Sequence, residues 1–288
     1  MDSTAADFSQ LTCRPGIPVP QSSVLGRLVY TFLPFRRATV LRNMKLVFGD
    51  RLSEDKLKKL AQNFYAHSFK GCAENFFMVF MSPEAIRKKV TVVGEDHVRA
   101  AASKGKGVLL LTGHFGNWEF APVGGMLNFK EFHGRFHILR RSLSNKTLER
   151  ILFGRFYAAG LDVIPKNNSL PRVLECLANN DAVTFIMDQH AMLEKDGVAV
   201  DFFGKKAGTF KSLAVIARTT DAPVVPTRCF KRNDGMHVMK FYKPLEWIEH
   251  PDSDQEILVN TRNYNRVLES FVLEHPEQWC WFHKRWKL

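Results

Sequence analysis

Two side chains five residues apart, His114 and Glu119, form the pair in this sequence best suited to moving a proton. They lie in the run Val108-Leu109-Leu110-Leu111-Thr112-Gly113-His114-Phe115-Gly116-Asn117-Trp118-Glu119. A carboxylate that holds one imidazole nitrogen leaves the other free to work as a general base. The neighbours supply the means of arranging this. Residues 109–111 are a short apolar run of the kind used by a strand covered on both faces. Gly113 and Gly116 allow a sharp turn. Asn117 is a good helix N-cap, which puts Glu119 in a first helical turn, where negative charge is favoured. The imidazole is therefore expected at a strand end, with the carboxylate on the element that starts just beyond. The plainer alternative is a histidine that only caps a turn beside an exposed glutamate. The residues at the other strand ends separate the two.

Residues 136–139 read as a strand that delivers Arg140 and Arg141 to its end, and Arg155 follows on the next helix. Another buried strand, 183–187, runs into Asp188, Gln189 and His190. Ligands of α/β folds bind outside the carboxyl ends of such strands. Arginines there can grip phosphate or carboxylate with two parallel hydrogen bonds, although each one singly could equally serve a surface ion pair.

The elements needed to position these groups can be read from periodicity. Strands are expected at 90–93, 108–112, 136–139, 163–164, 183–187, 224–229 and 237–241, with helices at 95–103, 146–159, 170–178 and 212–219 between them. A last helix starts at Ser253, with Glu256 completing a capping box, and runs to about Glu274. Such alternation specifies an α/β fold, a central mixed and largely parallel sheet flanked by helices. An N-terminal helical segment precedes it. Residues 24–48 mix Leu, Val, Tyr and Phe with Arg27, Arg36, Arg37, Arg42 and Lys45, as a helical hairpin or interfacial segment does. A helix from Ser53 to about Met81 carries Leu57, Leu60, Phe64, Phe69, Phe76 and Phe80 at helical spacing, read as a core-facing ladder, with Glu74 expected to be paired. The domain reading is thus an arm at 1–23, rich in proline and expected to be mobile, a helical and membrane-apposed segment at 24–85, and an α/β core at 86–288.

Composition bounds the partners. The 288 residues carry a formal charge of +12 and 24 phenylalanines. Excess positive charge calls for an anionic partner, whether nucleic acid, an anionic lipid surface or a phosphorylated or acidic carrier; abundant Phe beside cations leans towards lipid, and no nucleic-acid module is recognisable. Five scattered cysteines without a CxxC pair argue against a disulfide framework or zinc site. No apolar stretch approaches the roughly 20 residues of a spanning helix, and the first 20 residues lack the form of a secretory signal. The expected location is the cytosol, or a membrane bound peripherally from its cytosolic side.

The ordered set of motifs resembles the lysophospholipid acyltransferase superfamily, most closely its lipid A late-acyltransferase branch. His114-Phe115-Gly116-Asn117-Trp118-Glu119 matches the HxxxxD/E signature, and Leu139-Arg140-Arg141 the arginine motif that follows it. Asp188-Gln189-His190 matches the strand-end acidic motif, followed by Phe203-Gly204 and Ala222-Pro223-Val224-Val225-Pro226. Pro276-Glu277-Gln278-Trp279-Cys280-Trp281-Phe282-His283-Lys284-Arg285-Trp286 matches the branch's terminus. The resemblance implies acyl transfer from an acyl thioester, on acyl carrier protein or acyl-CoA, to a hydroxyl or amine of a lipid or glycolipid, without metal or cofactor. In that reading His114 is the base and Glu119 orients it. Gly116, Asn117, Arg140, Arg141, Arg155, Asp188 and Gln189 contact substrate, with Asp188 either touching the acceptor or supporting nearby cations. The same His/Glu pair could instead activate water in a thioesterase, and a non-catalytic lipid binder is a further alternative.

Overall fold

The computed structural model describes residues 17, 19–140 and 154–287. Its centre is a seven-stranded sheet in the order β1-β9-β8-β2-β5-β3-β4. The strands are β1 (Val90–Val93), β2 (Val108–Thr112), β3 (Phe136–Arg140), β4 (Leu161–Pro165), β5 (Ala182–Ile186), β8 (Val224–Lys231) and β9 (His237–Phe241). Strands β8, β2, β5, β3 and β4 are mutually parallel; β9 runs antiparallel to β8, and β1 parallel to β9. The sheet is mixed and largely parallel, as expected. The sequence reading missed a hairpin of β6 (Gly197–Phe202) and β7 (Lys205–Phe210), whose two-residue turn places Phe203 and Gly204 at φ of 55° and 70°. That is the turn geometry that matches strand twist.

The apolar run of β2 has a direct structural cause. Leu109 and Leu111 enter one core, while Val108 and Leu110 enter the other. The first core packs the sheet against α1 (Val24–Phe32), α2 (Arg37–Phe48), α3 (Glu54–Met78), α7 (Leu170–Ala178), α8 (Ser212–Thr220) and α9 (Ser253–Glu274). The second takes α4 (Pro83–Arg87), α5 (Glu95–Ala102) and α6 (Phe120–Asn128). A strand covered on both faces has no reason to alternate polar and apolar residues.

Two expectations need correction. The phenylalanine ladder of α3 faces the core only in its first half. Leu57, Leu60 and Phe64 are buried, but Phe69 is 44% exposed, Phe76 64% and Phe80 75%. At about 1.5 Å per residue the 25-residue helix is about 37 Å long, and in its second half the face that carries Met78 stays buried while the phenylalanine face is uncovered. The final helix is capped by Asp252, which accepts from Asp254 and Gln255 N–H, rather than by a Ser253–Glu256 box. Glu256 instead accepts from Arg218 Nε at 2.5 Å and Trp247 Nε1 at 2.8 Å. Of the expected N-terminal arm, residues 1–16 and 18 lie outside the described residues, as do Arg141 and most of the helix expected at 146–159. Ile17 and Val19 pack against the core.

After α9 the chain returns across the carboxyl ends of the parallel strands as a strap. Gly116 N–H donates to Gln278 O at 2.9 Å, and Cys280 N–H to His114 O at 3.0 Å. Asn43 on α2 holds the carbonyls of Trp281 and His283. The strap is anchored by Arg285, which is fully buried and donates to Gln189 O at 3.0 Å, to Gly208 O, to Thr209 Oγ1 at 2.7 Å and to Asn265 Oδ1 at 3.2 Å. Removing those donors strands several buried acceptors, each worth about 1–3 kcal/mol. Arg285→Ala is therefore expected to lower the stability by at least about 2 kcal/mol in denaturant unfolding. A loss below about 0.5 kcal/mol would mean that the strap does not depend on Arg285.

Candidate active site

The register of two neighbouring strands assembles the site. In the parallel pair β2–β5, Thr112 lies opposite Ile186. Two residues beyond each partner come His114 and Asp188, and they meet. His114 Nδ1 lies 2.9 Å from Asp188 Oδ1, and the His114 backbone N–H donates to Oδ2 at 2.8 Å. Trp279 Nε1, from the strap, donates to the same Oδ2 at 2.9 Å. Asp188 is fully buried. Gly113 is required here because a Cβ would stand 2.9 Å from the Asp188 Cγ and 2.7 Å from the Phe115 ring. Gly116 adopts φ +60°, and a Cβ there would meet Cys229 O at 2.7 Å. Together the two glycines let the turn press against both Asp188 and β8.

The electrostatics follow from this contact. Burial alone would push the Asp188 carboxyl up, but the His114 charge and hydrogen bonds hold it well below the usual carboxylate range. Burial disfavours the His114 imidazolium, yet the Asp188 charge and hydrogen bond, aided by Glu119, raise its pKa above the ordinary 6.5. Burial raises the Glu119 pKa, against the opposing pull of Arg140 and His114. Nδ1 of His114 thus carries the proton in the neutral ring, and Nε2 offers the lone pair. This is the role foreseen for Glu119, and Asp188 fills it. Glu119 stays within electrostatic range of His114, but its Oε2 accepts from Asn75 Nδ2 of α3 at 2.7 Å. The reason lies in the chain path. After His114 the backbone turns at Gly116, away from β5, whereas Asp188 follows the strand bonded alongside β2.

His114 lines a cavity of about 710 Å³. Its walls are apolar, with Leu139, Val173, Phe185 and Ile216 among them, and Arg140, Lys166 and Lys211 add positive charge to its lining. Arg140 arrives from the end of β3, as its motif suggested. Lys166, just past β4, and Lys211, just before α8, were not foreseen, although both sit at element ends on the same side of the sheet. Gln189 also lines the cavity. Arg155 is elsewhere, its Nη2 donating to Val79 O just past the end of α3 at 2.6 Å. Asn117 is buried and serves the framework of the turn. Its Oδ1 accepts from Phe120 N–H at 3.0 Å, capping α6, and its Nδ2 donates to Glu74 Oε2 at 3.1 Å. Glu74 is paired, as expected, with Lys231 and with His237 Nε2 at 3.3 Å. Burial would raise its pKa, but His237, Lys231 and Asn117 together bring it down to about 2.

A buried imidazole–carboxylate pair at the strand ends of a mixed α/β sheet, opening on an apolar cavity with cations in its lining, has the form of a group-transfer enzyme for amphiphilic substrates. The family model for bacterial lipid A biosynthesis acyltransferases matches residues 19–288. The chain belongs to that family and is an acyltransferase. It is 23% identical over 264 residues to the lipid A biosynthesis palmitoleoyltransferase of Escherichia coli strain K12, covering 91% of this chain and 82% of that protein. The lauroyltransferase of the same organism is 24% identical over 91% and 83% of the two chains. The phosphatidylinositol mannoside acyltransferase of Mycolicibacterium smegmatis is 24% identical over 85% and 78%.

Because Asp188 raises the His114 pKa, the neutral imidazole prevails only above that raised value. The acidic limb of the kcat/KM profile is expected above pH 6.5 in the wild type. In Asp188→Asn, burial acts without the opposing charge. The limb should move to lower pH, and the plateau should fall by about 10²–10⁴-fold. A limb that stays in place in Asp188→Asn would remove Asp188 from this role.

Proposed function

We propose that His114 takes the proton from a hydroxyl of a lipid or glycolipid acceptor, which then attacks the carbonyl of an acyl thioester. The observation that carries this reading is the place of His114, held through Nδ1 by the buried Asp188, in the wall of the largely apolar cavity. The donor's acyl chain lies in that cavity, where each buried methylene contributes about 0.8 kcal/mol. The cations of Arg140, Lys166 and Lys211 attract anionic groups of the donor or acceptor, such as the phosphates of a phosphopantetheine carried by acyl carrier protein or coenzyme A. Asp188 orients the ring and stabilises the imidazolium as it forms; Glu119 adds a second negative charge nearby. The N–H groups of His114, Phe115 and Gly116 are already engaged. The amides of Asn117 and Trp118, with the Arg140 guanidinium, are the groups of this region assigned to the developing oxyanion. The proton held on His114 then passes to the departing thiolate. The test is turnover of an acyl thioester with and without lipid acceptor. His114→Ala should lose about 10²–10⁴-fold in transfer while still folding cooperatively, with a thermal midpoint lowered by the loss of one donor to Asp188. Near-normal transfer by that variant would end the general-base reading, and thioester loss indifferent to acceptor would favour a hydrolase.

The acceptor class implies work at a membrane, and the exposed apolar residues support peripheral docking. Among the described residues no helix is long and apolar enough to cross a bilayer. Val24, Leu28, Phe32, Leu33 and Phe35 are exposed near Arg27, Arg36 and Arg37, and Phe69, Phe76, Phe77 and Phe80 are exposed on or just beyond α3. Helix α1 packs on α3. Such rings can enter the acyl boundary while arginines reach lipid phosphates. Asn75, which holds Glu119, immediately precedes Phe76, so docking through this end of α3 brings the catalytic turn to the leaflet. A Phe76→Ser, Phe77→Ser, Phe80→Ser variant is expected to lose about tenfold or more in flotation with anionic vesicles, with little change in thermal midpoint. High salt should weaken wild-type binding. Equal flotation of variant and wild type would exclude this face.

A further inference from the structure

A second imidazole shares the site. His283 comes from the strap, and its ring centre is 5.1 Å from that of His114. The Gln189 amide nitrogen lies between them, 3.4 Å from His114 Nε2 and 3.3 Å from His283 Nε2. An amide nitrogen carries two hydrogens and can only donate. In the neutral His114 the proton sits on Nδ1, against Asp188, so Nε2 presents a lone pair to Gln189. The second amide hydrogen serves His283 in the same way. Two imidazole lone pairs therefore converge on one group that donates twice. Both contacts are long for hydrogen bonds and are easily surrendered.

The backbone that carries His283 is fixed independently of its ring. Asn43 Nδ2 donates to His283 O at 2.7 Å, and Arg36 Nη1 to Phe282 O at 3.1 Å. The Phe282 ring packs between Phe35, Phe64 and Tyr65. Two residues on, Arg285 is buried among four acceptors. The strap would hold without an imidazole at this point, yet it delivers the polar edge of one beside the base.

We propose that His283 is an acceptor-binding residue that selects for paired hydroxyls, and that Gln189 occupies the place of those hydroxyls until the acceptor arrives. One hydroxyl donates to His114 Nε2 and becomes the nucleophile. Its neighbour donates to His283 Nε2 and fixes the angle of approach. Vicinal hydroxyls on a sugar or polyol headgroup offer this pair of donors at the right closeness, whereas an isolated alcohol satisfies only His114. Gln189 turns aside as the diol enters, and its return screens His114 from water between turnovers. The inference rests on the acyl-transfer reading of His114.

The experiment compares the full-length wild type with His283→Ala and His283→Gln. Each is supplied with a dodecanoyl thioester of coenzyme A or of acyl carrier protein, whichever the wild type turns over. The acceptor is either 1-O-hexadecylglycerol, a vicinal diol, or hexadecanol, in mixed micelles. The wild type should prefer the diol by about tenfold in kcat/KM, the equivalent of one net hydrogen bond. His283→Ala should level that preference through a higher KM for the diol. His283→Gln, whose amide oxygen can accept in place of Nε2, should restore part of it. Three results would overturn the proposal: a wild type without preference for the diol, a preference that survives in His283→Ala, or thioester hydrolysis by the wild type with transfer to neither alcohol. Failure of the underlying reading looks different, since it would appear as undiminished thioester turnover in His114→Ala.

Discussion

A single buried charge organises this molecule. Asp188 has no contact with solvent, and an unpaired carboxylate there would be prohibitively costly. Three donors meet it: the ring and backbone nitrogens of His114 and the indole of Trp279. Hydrogen bonds to a charged group contribute about 1.5–3 kcal/mol each, which is what makes the burial tolerable. The donors come from two places far apart in sequence, the β2 turn and the C-terminal strap. The carboxylate therefore ties the ends of β2 and β5 to the last dozen residues. The same contacts set the tautomer and basicity of His114, so the interaction that closes the fold also prepares the imidazole proposed as the base.

Helix α3 is the second support. Glu74 and Asn75 are consecutive, and both reach into the 113–119 turn, one through Asn117 and the other to Glu119. Phe76 and Phe77 follow at once and are exposed. A carboxylate held near its lower limit by Lys231 and His237 thus anchors the turn from one side, while the same helix presents aromatic rings on the other. This arrangement gives a physical reason for the length of α3. Its first half packs in the core, and its second half carries contacts to the site on one face and an apolar surface on another.

Much of this could be read in the sequence, and the failures have identifiable causes. The apolar run 108–112 ending in a glycine and a histidine specified a covered strand, and β2 is buried on both faces. The strand-end position of Asp188 was equally legible. Its partnership with His114 was not, because it depends on β2 lying beside β5 rather than beside a strand nearer in sequence. Local spacing favoured Glu119, and nothing local reports that Gly116 carries the chain away. Lys166 and Lys211 were hidden for the same reason, since each joins the cavity only through topology, and His283 comes beside His114 only through the path of the strap. The α3 ladder misled differently. Helical periodicity shows that phenylalanines share a face, but whether anything covers that face depends on what packs against it. In the β6–β7 hairpin the turn residues Phe203 and Gly204 were visible, but the alternation of the flanking strands was too short to stand out.

The claim on which the rest depends is that Asp188, and not Glu119, holds the His114 Nδ1 proton. Proton NMR of histidine N–H groups in the intact protein addresses it directly. An imidazole N–H bonded to a buried carboxylate resonates far downfield and exchanges slowly. The wild type should show such a signal, absent from His114→Ala. The account expects it to persist in Glu119→Gln and to vanish in Asp188→Asn. Loss in Glu119→Gln with retention in Asp188→Asn would contradict it.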